Sequence, residues 1–182
     1  MHLLHDADEP SENLAQKEIF EMLVKSPRIE LNAVNEKGQT ILHHVIKDRI
    51  EEYFELLLKE ACHGRLDVNK KDDKGNSAVH YAFNFSYDYR RVRSYELVDP
   101  FTLKKFSPEL EMILKYHKEA SIDLETRDNN GRTPLHNLYL TRPKRRVEQF
   151  LKCAKDEYNI DFDVTARDQK GLLPADLSTR TR

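Results

Sequence analysis

The sequence predicts an all-α solenoid, a stack of helix pairs joined by short β-hairpins, and three observations predict it. A glycine recurs in the same local context at Gly38, Gly75, Gly131 and Gly171, at intervals of 37, 56 and 40 residues. A polar turn precedes each glycine, and a short segment with a helix-capping residue follows it. Apolar residues at helical spacing fill the intervals. A self-similar period of this size indicates stacked repeats rather than one globular core.

Each glycine closes a turn that opens with Asn or Asp. The four turns are Asn35-Glu36-Lys37-Gly38, Asp72-Asp73-Lys74-Gly75, Asp128-Asn129-Asn130-Gly131 and Asp168-Gln169-Lys170-Gly171. Asn and Asp favour such turns, and glycine adopts a positive φ without a steric cost. Before each turn we expect a short strand-like segment, at residues 29–32, 66–69, 122–125 and 162–165.

The helices are expected in pairs, an inner one directly after each glycine and an outer one further along the chain. Thr40, Ser77 and Thr133 each lie two residues after a glycine and can cap a helix, and Pro134 and Pro174 suit a first helical turn. We expect helices over residues 13–25, 40–47, 50–60 and 133–140, from 77, from 107, after 143 and after 171.

The 56-residue interval predicts an insertion in the third unit. Ser107-Pro108-Glu109, a cap followed by proline at the first helical position, predicts that the outer helix begins only there. The insertion is therefore residues 85–106. Aromatic residues alternate from Phe83 to Tyr89, which suggests an extended strand at its start. Long loops in compact repeats tend to be functional.

These residues resemble the ankyrin repeat. Its Thr-Pro-Leu-His signature is intact at residues 133–136, whereas Ile41 and Ala78 replace the proline and Asp176 replaces the histidine. Leu3-Leu4-His5-Asp6-Ala7 resembles a first signature that lacks its own hairpin. The resemblance covers nearly the whole chain. It implies units at about 1–37, 38–74, 75–130 and 131–170, with a partial unit at 171–182.

The resemblance implies a protein–protein interaction module without catalytic residues, cofactor or metal. In that family the partner lies in a concave groove between the hairpin tips and the inner helices. The positions carried over are Glu36, Lys37, Gln39, Lys47, Asp48, Asp73, Lys74, Asn76, Asn84, Phe85, Asn129, Asn130 and Arg132. The insertion adds Tyr87, Tyr89, Arg90, Arg91, Arg93, Tyr95 and Phe101, because Tyr, Phe and Arg dominate interface hot spots. The alternative is that these aromatic residues fold back over the third unit as a local core.

His43, His80 and His136 occupy one repeat position. The resemblance implies that each bonds backbone groups and ties its unit to the next, so we expect neither a metal site nor catalysis there. Asn69 resembles the asparagine that protein hydroxylases modify in ankyrin proteins, but we expect it to bond its own hairpin. Cys62 and Cys153 are predicted to be buried or half-buried free thiols in a reducing compartment.

Charge narrows the class of partner. The formal net charge is −2, which argues against nucleic-acid binding. Two basic clusters, at 90–93 and 142–146, keep nucleic acid as a third hypothesis that predicts steep salt dependence. The run Arg142-Pro143-Lys144-Arg145-Arg146 is either an import signal or acidic-partner patch, or a solvated loop and first helical turn. The second interpretation is favoured, although basic residues at a helix start oppose the helix dipole.

The location, oligomeric state and biological role of the chain are expectations. No apolar run approaches ~18 residues, and the first residues lack the features of a signal peptide, so we expect a soluble, cytoplasmic monomer. The degraded signatures and the large insertion suit ankyrin proteins of intracellular bacteria, effectors that act on a host protein in the host cytosol or nucleus. An ordinary cytosolic scaffold suits them equally. The alternative function is the substrate-recognition arm of a multidomain enzyme whose catalytic part lies beyond Arg182.

Overall fold

The computed structural model describes residues 9–84 and 107–180. Its helices, in chain order, are α1 (Glu9–Lys25), α2 (Ile41–Asp48), α3 (Glu51–Cys62), α4 (Ala78–Asn84), α5 (Pro108–Tyr116), α6 (Pro134–Thr141), α7 (Lys144–Tyr158) and a 3₁₀ helix (Pro174–Arg180). The inner elements α2, α4, α6 and the 3₁₀ helix pack in sequence, as do the outer helices α1, α3, α5 and α7. This is the all-α solenoid that the sequence predicts.

The predicted capping residues begin the helices. Thr40 and Thr133 are the N-caps of α2 and α6, and each forms a capping box with the histidine three residues later. The Ser107 hydroxyl accepts a hydrogen bond from the Leu110 amide at the start of α5, with Pro108 in the first turn. The helix start predicted from Ser107 is confirmed. α1 begins four residues earlier than expected, at Glu9.

One continuous core runs between the inner and outer helices, from Val24 to Leu177. Phe83 and Phe150 are fully buried and meet edge to face, with ring centroids 5.6 Å apart. Since Phe83 lies within α4, the extended strand expected from Phe83 onward is wrong at its first residue. At the N-terminal end of the stack Phe20 stacks on Tyr53 at 4.0 Å.

The hairpins contain less β-structure than the sequence suggests. Within residues 9–84 and 107–180 there is one isolated bridge, between Lys71 and Ser77, and no strand. The four segments expected to be strand-like end in turns instead. The reason is local: an acidic side chain at the second position accepts a hydrogen bond from the amide two residues on, as Asp67 does from Asn69 at 2.9 Å.

The helices flanking the insertion, α4 and α5, are in contact with each other, so the chain leaves and re-enters the stack between two packed helices. Residues 85–106 themselves lie outside the described residues. Among the helices that the structure does describe, none is both long enough and apolar enough to cross a membrane.

Candidate protein-interaction surface

Backbone hydrogen bonds join the tip of each hairpin to the tip of the next. The amide two residues before each glycine donates to the carbonyl one residue before the preceding glycine. The bonds are Asp73 to Lys37 at 3.1 Å, Asn129 to Lys74 at 3.0 Å and Gln169 to Asn130 at 2.9 Å. The tips therefore form one row whose backbone is fixed and whose side chains are free to differ.

The repeated histidines form a second set of bonds between units. Nε2 of His43, His80 and His136 lies 3.1, 3.0 and 3.2 Å from the carbonyl oxygen of Asn76, Arg132 and Leu172 respectively. Nδ1 of each ring accepts from the backbone amide of its own helix cap at 3.1 Å. The ring is therefore neutral with its proton on Nε2, which donates to the next unit.

Burial is the main cause that lowers the pKa of all three histidines, against the opposing effect of the carbonyl each one bonds. The expected tie between units is confirmed, because both ring nitrogens are occupied by structural partners. Among the described residues there is also no group of three His, Cys, Asp or Glu side chains placed to hold a metal ion.

One structural unit recurs along the chain, and it consists of a helix pair, a glycine-closed hairpin tip and a histidine bond to the next unit. A family model for ankyrin repeats (3 copies) matches residues 5–92. The chain is an ankyrin-repeat protein. A comparison with curated proteins gave no match. Ankyrin repeats are in general non-catalytic modules that bind other proteins, so the surface of this ankyrin stack is where its function has to be sought.

A third set of bonds links the turns that follow the outer helices of the ankyrin stack. The Asn32 side chain accepts from the Asp67 amide at 2.8 Å and donates to the Arg65 carbonyl at 3.2 Å. Asn69 repeats this with the Asp123 amide and the Ser121 carbonyl, both at 2.8 Å. The expectation that Asn69 bonds its own hairpin is wrong, since its side chain reaches the next unit.

Glu125 occupies the corresponding position in the third turn and makes only half of this link. Its Oε1 accepts from the Asp163 amide at 2.9 Å. Its Oε2 is buried and has no hydrogen-bond partner among the described residues. Burial is the main cause that raises the pKa of this carboxyl. The hydrogen bond from the Asp163 amide opposes it, the negative charges of Asp163 and Asp123 add to it, and Arg127 opposes it.

Six predicted partner-binding residues at the hairpin tips are exposed: Glu36, Lys37, Asp73, Lys74, Asn129 and Asn130. The Asn129 side chain also donates to the Asp73 carbonyl at 2.9 Å, so its NH₂ group already makes one hydrogen bond within the stack. The ion pairs found within the described ranges involve none of the three tip lysines, Lys37, Lys74 and Lys170. These charges face solvent along one edge of the stack.

The predicted residues directly after the glycines are less available. Gln39, Asn76 and Arg132 are half-buried. Gln39 Nε2 donates to the Tyr81 hydroxyl at 2.7 Å, and that hydroxyl donates to Asp72 Oδ2 at 2.8 Å. Arg132 Nε lies 3.5 Å from Asp168 Oδ2. The side chains of Gln39 and Arg132 therefore also make contacts between neighbouring hairpins.

The remaining predicted positions fall into two groups. Lys47 and Asp48 at the end of α2, and Asn84 at the end of α4, are exposed. The insertion residues Phe85, Tyr87, Tyr89, Arg90, Arg91, Arg93, Tyr95 and Phe101 lie outside the described residues.

The sequence analysis missed three residues on this surface, His44, Tyr81 and Asn35. Tyr81 and His44 each follow a signature histidine directly, and the Asn35 side chain lies 3.0 Å from His44 Nε2. The Tyr81 ring also packs edge to face on His43 at 5.3 Å. The sequence could have indicated Tyr81 and His44, since each directly follows a signature histidine. A helix turns the residue after a buried one away from the core.

Cys62 and Cys153 form no disulfide and are half-buried, which agrees with the prediction. Burial is the main cause that raises the pKa of the Cys62 thiol, and Glu119 adds to it. A raised pKa keeps the thiol protonated, which makes it a poor nucleophile.

Proposed function

We propose that this ankyrin stack binds a protein partner through its hairpin tips and the ends of its inner helices, together with the insertion of the third unit. One observation supports it most. The tips form a row whose backbone is locked from unit to unit while their side chains remain exposed. A fixed scaffold lowers the entropy lost on binding, which favours affinity.

The chemistry of the row fits recognition by many polar contacts rather than by one deep pocket. Glu36 beside Lys37, and Asp73 beside Lys74, place opposite charges at adjacent tip positions, and Asn129 and Asn130 follow with amides. Such a pattern selects a partner by charge complementarity and register more than by buried apolar area. The aromatic and basic composition of residues 85–106 would supply the apolar anchors that the tips lack.

The test is an affinity capture with the full chain as bait and two variants beside it. In one variant a Gly-Ser linker replaces residues 85–106; in the other Lys37, Lys74 and Asn130 become alanine. Partners lost with both variants would support one surface made of tips and insertion. A partner set unchanged in both would exclude the proposal, provided that circular dichroism shows all three chains folded.

An effector role in a host cell, a catalytic region beyond Arg182, a monomeric state and a cytoplasmic location stay predictions. Sedimentation velocity of the purified chain tests the monomer, and imaging of a tagged chain tests the location.

A further inference from the structure

The first turn of α7 differs from those of the other outer helices. It opens with Lys144, Arg145 and Arg146 and holds no acidic residue. The equivalent turns of α3 and α5 hold Glu51 and Glu52, and Glu109 and Glu111. A helix N-terminus carries partial positive charge, so acidic side chains stabilise it and basic side chains oppose it. The basic residues at the start of α7 therefore oppose the dipole of their own helix.

The basic groups here are available to a ligand. Lys144 and Arg145 are exposed, and Arg146 is half-buried. Lys144 Nζ lies 4.0 Å from Glu148, at the limit of an ion pair. Among the described residues the guanidinium groups of Arg145 and Arg146 make no ion pair and no hydrogen bond. On α3, by contrast, Lys59 Nζ lies 3.2 Å from Glu55 Oε1.

A cavity adjoins these residues. It has a volume of about 510 Å³ and lies between the α6–α7 turn and the last 3₁₀ helix, lined by Thr141, Arg142, Pro143, Lys144 and Ser178. The Arg142 side chain forms part of its wall and is 7% exposed. The cavity offers room for one ligand side chain beside the exposed cations.

We propose that residues 142–146, the α7 corner, bind an acidic segment of a protein partner. The planar guanidinium group binds a carboxylate through two parallel hydrogen bonds, and two such groups lie at adjacent positions here. A bound carboxylate would also sit at the positive end of the α7 dipole, so it would relieve the repulsion that this turn contains.

The α7 corner is a second surface, separate from the hairpin tips. α6 leads from the hairpin of its unit to this corner and is eight residues long, which corresponds to about 12 Å. The corner can therefore bind its ligand whether or not the tips bind theirs.

A short acidic peptide fits the corner better than a nucleic acid or a membrane does. The cations span one helical turn, with Glu148 next to them, whereas single-stranded nucleic acid needs a basic groove that follows its backbone over several nucleotides. The chain as a whole carries a formal net charge of −2. The described large apolar side chains that are exposed all lie elsewhere, on residues 19–34, 50 and 164, so the corner offers none to insert into a lipid surface.

The test uses the full chain and a fluorescein-labelled hexaglutamate peptide, with binding followed by fluorescence anisotropy at physiological salt. The variant is Arg145→Glu with Arg146→Glu, which gives α7 the acidic start of α3 and α5 and so should not unfold the chain. The matched control is Arg28→Glu with Lys118→Glu, which has the same net charge but is altered at two exposed basic residues outside the α7 corner and the hairpin tips. We expect affinity to fall about tenfold or more in the α7 variant and to stay within about twofold in the control.

Two results would overturn the proposal. One is an equal loss of affinity in both variants, which would mean that peptide binding depends only on the net charge of the chain. The other is displacement of the peptide by single-stranded DNA or by phosphatidylserine vesicles at lower concentration than by unlabelled hexaglutamate, which would assign the corner to a different class of ligand. Hexaglutamine should not compete. Thermal melting of each variant confirms that it is folded.

Discussion

Gly75 lies directly against Asn129 of the next unit, so that a Cβ placed on Gly75 would stand 2.6 Å from the Asn129 backbone nitrogen. The same nitrogen donates to the carbonyl of Lys74 at 3.0 Å. The backbone of Gly75 is also left-handed, with φ of 77°. Gly75 is therefore required both for its conformation and for the close approach of two hairpins, and these two requirements can be separated by experiment.

Gly75→Ala is expected to destabilise the chain by about 2–4 kcal/mol, because it adds steric overlap to the strain of a left-handed residue. Gly171→Ala is the matched control: Gly171 has φ of 76° and no described atom within 4 Å of its Cβ position. It should cost about 1–2 kcal/mol, the conformational part alone. Urea unfolding of both variants measures the difference. Equal losses would show that the close approach contributes nothing.

His80→Ala should cost about 2–3 kcal/mol in unfolding free energy. It removes the bond to the Arg132 carbonyl and leaves the buried Ser77 amide without its acceptor. His44→Ala is the comparison, because His44 is the neighbour of a signature histidine and is only half-buried. Its removal should change stability by less than about 0.5 kcal/mol. A loss of similar size in both variants would contradict a linking role for the signature position.

Stability should fall as the pH drops below about 6.5, the ordinary histidine pKa. Burial lowers the pKa of His43, His80 and His136 in the folded state, so the unfolded state binds protons first. The stabilisation is complete above the unfolded pKa and is lost as the pH falls through the lower folded values. Each histidine contributes at most about 1.4 kcal/mol per pH unit.

Urea midpoints at several pH values between about 7.5 and 5.5 would measure this dependence. His80→Ala should have a shallower slope than the parent chain, since it removes one of the three groups. A flat profile in the parent chain would contradict the neutral, Nε2-protonated state assigned to these rings.

Glu125→Gln is expected to stabilise the chain at neutral pH by about 0.5–1.5 kcal/mol. Glutamine keeps the hydrogen bond from the Asp163 amide. It also adds a side-chain N–H donor, like those with which Asn32 and Asn69 bond a carbonyl of the next unit. Because the folded state raises the pKa of Glu125, acid stabilises the parent chain relative to the variant. The gain should therefore shrink as the pH falls through the folded pKa.

Glu119→Gln provides the control for this substitution, since Glu119 is exposed. Its unfolding free energy at pH 7 should match that of the parent chain within about 0.5 kcal/mol. A neutral effect of Glu125→Gln at pH 7 would mean that the unpartnered carboxyl oxygen costs nothing in the folded state.

The elements of the stack follow from the sequence because their signals are local. The glycine at each tip, the capping residues Thr40 and Thr133, and the proline after Ser107 each act within one turn of chain. The resemblance to ankyrin repeats implied that His43, His80 and His136 join units, and their common register argued for a structural role. The strand-like segments were wrong because a period of alternating apolar residues also suits a turn held by an acidic side chain, as at Asp67.

The contacts between units could be predicted only where residues repeat. The Gln39 side chain bonds the Tyr81 hydroxyl of the next unit. This pair is not repeated along the chain, because the register in which two units stack is a property of packing rather than of local sequence. For the same reason Gln39 and Arg132 were expected only in a binding groove, although they also bond within the stack.

The bonds of the signature histidines and the turn asparagines all run in one direction, from a side chain of one unit to main-chain atoms of the following one. A receiving unit needs only a backbone of the right shape to be held. Asn76, Arg132 and Leu172 are chemically unlike, yet all three accept the same histidine bond. Substitutions at these receiving positions leave the histidine bonds in place, so the side chains there can change while these links between units persist.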